Sequence, residues 1–383
     1  MRILFVTSKL NFESAGGSVP DLNLKACTLT ELGHSVTVLT VFSERNSSLE
    51  SLPYTVIEEH IPARTSLVTV QGEILRILRA QESAFDIYHI EGQFTYGAGL
   101  YRLLGGTIPV VVFCNREMPI WTEVQGFFAS IKRALRILLE KTLGALLAQR
   151  IGHYIFTNPV LTKEYRAFGY LAPYTILPDF VDPEDKRSKI MAPAPSPTDR
   201  GIEKPVYTLF ASGRMIPGKG FHTLIEALSY LSDPSRVHLV LSGDGPERER
   251  LIKLAKSKGV FELISFPGWV PEKDLIRNIQ AADIFVLPAW RADLTSVLLI
   301  ESLVFATPAI VPKDTALAWV AGKGARHFTE GDPHDLARTI DELVTTPSLR
   351  MKLSEGAIER ITELEYRAMA RTLESKMLSL VKR

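Results

Sequence analysis

Residues 206–231 read VYTLFASGRMIPGKGFHTLIEALSYL, and this stretch decides the fold. Residues 206–212 form an apolar run with β-branched and aromatic side chains, closed by Ser212. The hydrophobicity is continuous rather than alternating, which predicts a strand buried on both faces of a parallel sheet. Three glycines and a proline then interrupt the run between Gly213 and Gly220, and from Phe221 to Leu231 the apolar positions return at helical spacing. Strand, glycine-rich loop and helix, in that order, begin a βαβ unit.

The same rhythm extends in both directions. Downstream, residues 237–242, 263–266, 284–287 and 309–311 read as strands, and 247–258, 273–281, 297–305 and 333–345 as helices; the tail, 348–382, reads as helical throughout. Upstream, 1–7, 35–41, 87–90, 109–114 and 154–157 read as strands, with helices over 22–32, 71–81, 95–104 and 126–149. Between the two series lie residues 183–205, with five prolines and nine charged side chains. Proline at that density argues against regular structure and predicts a linker or surface loop. The expected organisation is therefore an α/β domain over 1–182, a linker over 183–205, a second α/β domain over 206–365 and a C-terminal helix over 366–383 that packs back on the first domain. At 383 residues the chain is long enough for two such domains.

Composition excludes several classes. Hydrophobic residues make up 46% and charged residues 23%, which is globular rather than disordered or fibrous. Lys+Arg is 44 against Asp+Glu 43, so there is no basic surplus for a nucleic-acid backbone. Two cysteines, Cys27 and Cys114, do not build a disulfide framework, as expected in a reducing cytoplasm. Residues 1–7 lack the layout of a signal peptide, and the longest apolar stretch, 134–148, is broken by Glu140 and Lys141, so no membrane span is expected. Helix 126–149 mixes Phe127, Phe128, Ile131, Leu135, Leu138 and Leu139 with Lys132, Arg133, Arg136 and Lys141. It fits either an amphipathic helix packed on its own sheet or one lying on an anionic membrane surface, such as the inner face of a membrane.

The loop after residues 206–212 nearly matches the G-x-x-x-x-G-K-[ST] phosphate loop, but its last position is Gly220, with no hydroxyl for magnesium, and Pro217 removes an N–H from the cradle. An ATPase is rejected. Arg214 and Lys219 remain, at a strand's C-terminal end where open α/β sheets bind ligands. Arginine can bridge two phosphate oxygens and lysine adds a point charge; a solvated basic loop explains them too. Gly16-Gly17 follows the first strand and suits either close approach of a phosphate or a plain loop. Gly243-Asp244-Gly245-Pro246 reads as a tight turn. Asp293 and Glu301 stand eight residues apart, with a helix expected to begin near Ser296, so that the N–H groups around Ser296, Val297 and Leu298 are free for a diphosphate. A capping acid and a paired core acid account for the same two residues equally well. No H-E-x-x-H spacing, metal-binding cysteine pair, G-x-S-x-G elbow or G-x-G-x-x-G after the first strand occurs.

Taken in order, these segments resemble glycosyltransferase family 4, over nearly the whole chain. In the first half the resemblance rests on Gly16-Gly17, on LGHSVTV from Leu32 to Val38, and on DIYHI from Asp86 to Ile90; in the second, on Gly213-Arg214 with Lys219-Gly220, on Gly243 to Pro246, on Pro267-Gly268-Trp269-Val270 and on Ala282 through Pro308. The resemblance implies a GT-B fold, with two Rossmann-like domains facing each other across a cleft. It also implies a retaining transferase that uses a nucleotide-sugar donor and a carbohydrate or lipid-linked acceptor, with no metal and no cofactor. By the same resemblance Arg214 and Lys219 neutralise the donor diphosphate and Val297 and Leu298, after Ser296, offer it backbone N–H groups. Glu301 holds the ribose, Val270 lies by the base, and Gly16 and Gly17 lie near the phosphate and acceptor. Asp293 and Asn115 take the catalytic positions.

The departures from the family pattern fall at the sugar. Asp293 stands where the family has the first glutamate of its E-x7-E pair, Ser296 and Ala306 stand for glycines, Asn115 and Glu91 for histidines, and Asp179-Phe180 for Asn-Gly. They imply an unusual donor or, as the second reading, a catalytically silent scaffold that partners another transferase. A GT-B epimerase or phosphorylase is a third.

Overall fold

The computed structural model describes residues 1–12, 18–42, 51–62, 65–116, 118, 129–189, 195–289 and 296–382. The chain divides into two compact units, Met1–Phe180 with Tyr366–Arg383, and Val181–Glu365.

The first unit is built on seven parallel strands: β1 (Arg2–Thr7), β2 (Ser35–Thr40), β3 (Thr55–Glu58), β4 (Ile87–Glu91), β5 (Val110–Cys114), β6 (His153–Phe156) and β7 (Tyr174–Ile176), in the order β3-β2-β1-β4-β5-β6-β7. Every pairing is parallel, with Ile3 opposite both Val36 and Ile87. The order reverses at β1 and β4, which opens a crevice at the C-terminal ends of those strands. Ile3, Phe5, Val36, Val38, Ile87, Val111, Phe113 and Ile155 share one buried cluster with Leu22, Ala26 and Leu29 of the helix Ser18–Glu31. Tyr366, Met369, Ala370, Leu373 and Met377 of the helix Tyr366–Val381 belong to the same cluster. His34 adds a polar tie, 2.7 Å from Glu374 in that last helix. The helical tail has one break: Pro347–Glu363 ends at Leu364, and Tyr366–Val381 starts where the chain returns to the first unit.

The second unit repeats the plan with six parallel strands, β8 (Tyr207–Ser212), β9 (Val237–Ser242), β10 (Ile264–Gly268), β11 (Ile284–Val286), β12 (Ala309–Pro312) and β13 (Ala325–Phe328), ordered β10-β9-β8-β11-β12-β13. Alternate residues feed opposite faces. Tyr207, Leu209, Ala211, Ile284, Val286 and Ile310 enter one apolar cluster, and Phe210, Phe285, Ala309 and Val311 the other. Both faces are covered, which is why these strands read as continuous apolar runs.

The described parts of 183–205, residues 183–189 and 195–205, belong to the second unit and do not form the expected linker. They hold the helices Pro183–Ser188 and Pro197–Arg200, each with proline at its start, where a missing N–H costs nothing. Both belong to the second unit. Arg200, 5% exposed, donates to the carbonyls of Gln280 and Phe305 at 3.0 and 3.2 Å. Arg350, 1% exposed, returns a bond to the carbonyl of Arg200 at 2.9 Å. These bonds tie the helix Pro197–Arg200 into the second unit, with Arg200 Nε left buried and without a partner among the described residues.

Candidate functional site

In the second unit the loops at the C-terminal ends of β8, β9 and β11 interlock through backbone. Gly220 has φ +67°, and a Cβ there would stand 2.0 Å from the carbonyl oxygen of Pro288, just after β11. Gly243 has φ +124°, and a Cβ there would stand 2.0 Å from the carbonyl oxygen of Gly213. Only glycine fits either place. The N–H of Met215 bonds the carbonyl of Asp244 at 2.7 Å, and that of Gly243 the carbonyl of Gly268 at 2.8 Å. Arg214 is exposed and Lys219 half-buried on the loop so fixed; Val270 is half-buried beside an exposed Trp269.

Ser296 caps the helix Val297–Val304, its side chain accepting from the N–H of Leu299. The N–H groups of Val297 and Leu298 precede the first intrahelical donor, the N–H of Leu299, so this end carries donors and the positive end of the helix dipole. One turn on, Glu301 is 3% exposed. Its Oε1 lies 2.7 Å from Lys186 Nζ, while Oε2 is buried with no hydrogen-bond partner among the described residues. Burial pushes the Glu301 carboxyl up, against the pull of Lys186. Thus the loop carrying Arg214 and Lys219 packs against the residues after β11, and Ser296, Val297, Leu298 and Glu301 follow in the next helix. Asp293, Gly16 and Gly17 lie outside the described residues.

The first unit has its own pocket, at the crevice where the strand order reverses. It is lined by Val6, Asp21, Leu22, Lys25, His89, Glu91, Phe113 and Asn115. Asn115 is half-buried at the end of β5. The Glu91 carboxylate is held by the hydroxyl of Thr7, the N–H of Ser8 at 3.1 Å and the amide of Gln93 at 2.7 Å. His89 is 3% exposed, its ring lies tilted 4.4 Å from that of Phe5, and Nε2 has no partner among the described residues. Burial, with Lys25 nearby, pushes its imidazole down to about 3, so it is neutral. Asp86, of the same DIYHI stretch, pairs with Arg2 at 2.7 Å and serves the sheet, not the pocket.

Two features escaped the sequence reading. Lys186 lay in the presumed linker, where nothing in the local pattern marks it as a partner for Glu301. Asp21 and Lys25 did leave a signal: an i, i+4 charge pair beside Leu22, Ala26 and Leu29, on the buried face of a helix. The helix 126–149 also differs from the expectation of a face packed on its own sheet. Among its described residues, Ala129–Leu139 leaves Ile131, Leu135, Leu138 and Leu139 more than half exposed.

Comparison with known proteins agrees with this layout. The family model described as Glycosyltransferase Family 4 matches residues 25–185, and that described as Glycosyl transferases group 1 matches residues 196–360. A lipopolysaccharide core biosynthesis glycosyltransferase of Rhizobium meliloti is 28% identical over 239 residues, covering 58% of this chain and 67% of that protein. Among solved structures, sucrose-phosphate synthase from Thermosynechococcus elongatus aligns with a TM-score of 0.76 at 17% identity, over 99% of this chain and 98% of the other. The Anabaena protein HepE, solved in complex with UDP, aligns with a TM-score of 0.71 at 16% identity, over 98% and 100% of the two chains.

Proposed function

The chain belongs to glycosyltransferase family 4, and we propose that it moves a sugar from a nucleotide-sugar donor to a carbohydrate or lipid-linked acceptor, with retention of configuration, in the synthesis of a cell-surface polysaccharide or glycolipid. The observation that carries this reading is the interlocked set of loops at the C-terminal edge of the second sheet. It sets two cations, Arg214 and Lys219, on a loop braced against the segment that leads to the helix start at Ser296, with a half-matched carboxylate, Glu301, one turn further.

A donor diphosphate gains charge as its bond to the sugar breaks. Fixed cations and helix N–H groups stabilise that charge without reorganising. In this reading Arg214 and Lys219 neutralise the diphosphate, and Val297 and Leu298 donate backbone N–H groups to it. Val270 lies by the base, Glu301 accepts from the ribose, and Asp293 takes the sugar hydroxyls. Asn115 takes the second catalytic position, and Gly16 and Gly17 lie near the phosphate and the acceptor. These groups supply the charge stabilisation, so turnover is expected to persist in excess chelator. Loss of turnover that a divalent ion restores would show that a metal takes part. The likeness to a named lipopolysaccharide transferase favours sugar transfer over a silent scaffold, and UDP in a structural neighbour supports a nucleotide donor.

Among the described residues no helix is long and apolar enough to cross a membrane. The exposed apolar residues of Ala129–Leu139 alternate with exposed Lys132, Arg133 and Arg136, while Glu140, which follows, is buried against Tyr96 and Tyr170. In our reading this face rests on anionic lipid, near a lipid-linked acceptor. Co-sedimentation with phosphatidylglycerol vesicles but not phosphatidylcholine ones is expected.

The test of the main reading is a thermal-shift screen with UDP, GDP, ADP and their sugar conjugates. A ligand at a hundred times its Kd raises stability by about 2.7 kcal/mol. Lys219→Ala is expected to weaken the diphosphate that binds while leaving the melting of the free protein unchanged. Equal affinity of the two proteins by isothermal titration would remove Lys219 from the site.

A further inference from the structure

Glu301 is matched on one oxygen only. Lys186 Nζ lies 2.7 Å from Oε1, and Oε2 is buried without a partner among the described residues. Lys186 is itself fixed. It sits in the helix Pro183–Ser188, whose start is capped by the Asp182 carboxylate accepting from the N–H groups of Glu184 and Asp185. It is 7% exposed, and a second carboxylate, Glu272, holds its ammonium at 2.6 Å. Glu272 also takes Lys189 at 3.1 Å, and Lys189 lies 2.9 Å from Asp185. The ammonium therefore has two carboxylates to choose between and is locked between them.

A carboxylate this deeply buried with no counter-charge would take up a proton, because isolated buried charge is costly. A neutral carboxyl accepts hydrogen bonds weakly and is free to turn. The ammonium on Oε1 favours the charged form against that burial and sets the plane of the group, which leaves Oε2 to accept. A charged acceptor makes the stronger hydrogen bond.

We propose that Lys186 is the positioning residue for recognition of the donor's ribose: its ion pair on Oε1 orients Glu301 so that Oε2 accepts from a ribose hydroxyl. The proposal rests on the reading of Glu301 as the ribose acceptor and adds the residue that makes that contact possible. Lys186 touches neither the donor nor the sugar; it acts through Glu301.

The readout is discrimination between ribose and deoxyribose, which a merely structural ion pair would not move. Of UDP, GDP and ADP, the one that binds wild type most tightly is compared with its 2′- and 3′-deoxy forms by isothermal titration. Wild type is expected to prefer the ribonucleotide by about tenfold or more, the scale of one hydrogen bond to a charged group. Glu301→Gln and Lys186→Met are each expected to lose most of that preference, with the deoxy forms binding nearly as to wild type. Lys186→Gln, which keeps a donor to Oε1 without the charge, is read the same way should Lys186→Met not fold.

If Glu301→Gln loses the preference and both Lys186 variants keep it, the positioning role is wrong and the ribose reading stands. Should Glu301→Gln keep it, the ribose reading itself fails. Equal weakening of ribo and deoxy forms by the Lys186 variants would make the pair structural and overturn the proposal. So would the absence of binding by all three diphosphates to wild type, which would remove both readings together.

Discussion

The ammonium of Lys25 stands 3.6 Å from the centre of the Phe113 ring, in a pocket where it is 1% exposed. Asp21 meets the same ammonium at 2.6 Å, and its other oxygen takes the N–H of Phe180 at 2.7 Å. Phe180 is the last residue of the first unit before the chain passes to Val181. The pair thus ties the helix Ser18–Glu31 to the end of that unit.

Removing one partner leaves the other as an uncompensated buried charge. Lys25→Met is expected to cost about 3–5 kcal/mol. The double variant Lys25→Met/Asp21→Asn, which buries no charge, is expected to recover part of it. Urea unfolding of the three proteins checks this. A double variant no more stable than Lys25→Met would mean that packing on Phe113, and not the orphaned carboxylate, sets the cost.

His89 makes stability depend on pH in one direction. The folded imidazole is pushed down to about 3, chiefly by burial. The unfolded one titrates near 6.5. Between those values the unfolded chain holds a proton that the folded chain lacks, so folding loses stability as pH falls below about 6.5, at up to about 1.4 kcal/mol per unit. His153, pushed down to about 4, acts in the same sense. His89→Gln is therefore expected to flatten part of the slope of unfolding free energy between pH 7 and pH 5, whatever it does to stability at pH 7. An unchanged slope by urea titration at the two pH values would show that His89 is charged in the folded protein.

Ala306 occupies a place that asks for glycine. It follows the helix Val297–Val304 with φ +52°, and its neighbour's N–H, from Thr307, reaches back to the carbonyl of Ser302 at 2.9 Å. This is the left-handed helix stop, which costs a residue with a Cβ about 1–2 kcal/mol. Glycine removes that strain but adds freedom to the unfolded chain, worth about 0.4–1 kcal/mol. Ala306→Gly is expected to raise the stability of the second unit by roughly 0.5–1 kcal/mol, read as a higher urea midpoint with an unchanged slope. A lower midpoint would mean that the methyl's burial outweighs the strain.

The legible parts of this fold are those buried on both faces. β5 is apolar throughout, and β1, β8 and β9 are mostly so, broken within only at Thr208 and His238, because both sides of their sheets are covered, and such a run is visible in a sequence. β3, β7 and β13 were missed. They are edge strands of three or four residues, and Thr55, Tyr174, Arg326 and His327 among them are exposed, which erases the run. The misreading of 183–205 has a different cause. Proline density reads as a break, yet Pro183 and Pro197 each follow a capping residue, Asp182 and Ser196, and open a helix. At the site, Arg214 and Lys219 were legible because a loop after a buried strand has one place to be. Lys186 was not, because its partner Glu301 is distant in sequence and no local pattern links the two.

Under the proposed function, Asp293 is the residue that separates holding the donor from transferring the sugar. It precedes Ser296 and stands eight positions before Glu301, outside the described residues. Glu301 is fixed in the helix Val297–Val304, whereas Asp293 precedes that helix in sequence, and under the proposed function it meets the sugar hydroxyls. A contact that strengthens only in the transition state lowers kcat when lost, and one made equally in the ground state raises KM. Asp293→Asn is therefore expected to leave affinity for the nucleoside diphosphate unchanged and to lower transfer, on the order of a hundredfold if the carboxylate meets developing charge. Asp293→Glu moves the carboxylate outward by one methylene, and is expected to lower the rate with the native donor or to change which donor is preferred. Initial rates with a panel of nucleotide sugars, beside titration of the diphosphate alone, distinguish the outcomes. If Asp293→Asn weakened the diphosphate as much as Glu301→Gln does, the acid would belong to the nucleotide and the sugar would be held by other residues. Wild type and Asp293→Glu that both turned over none of the donors would return the chain to the reading of a silent scaffold.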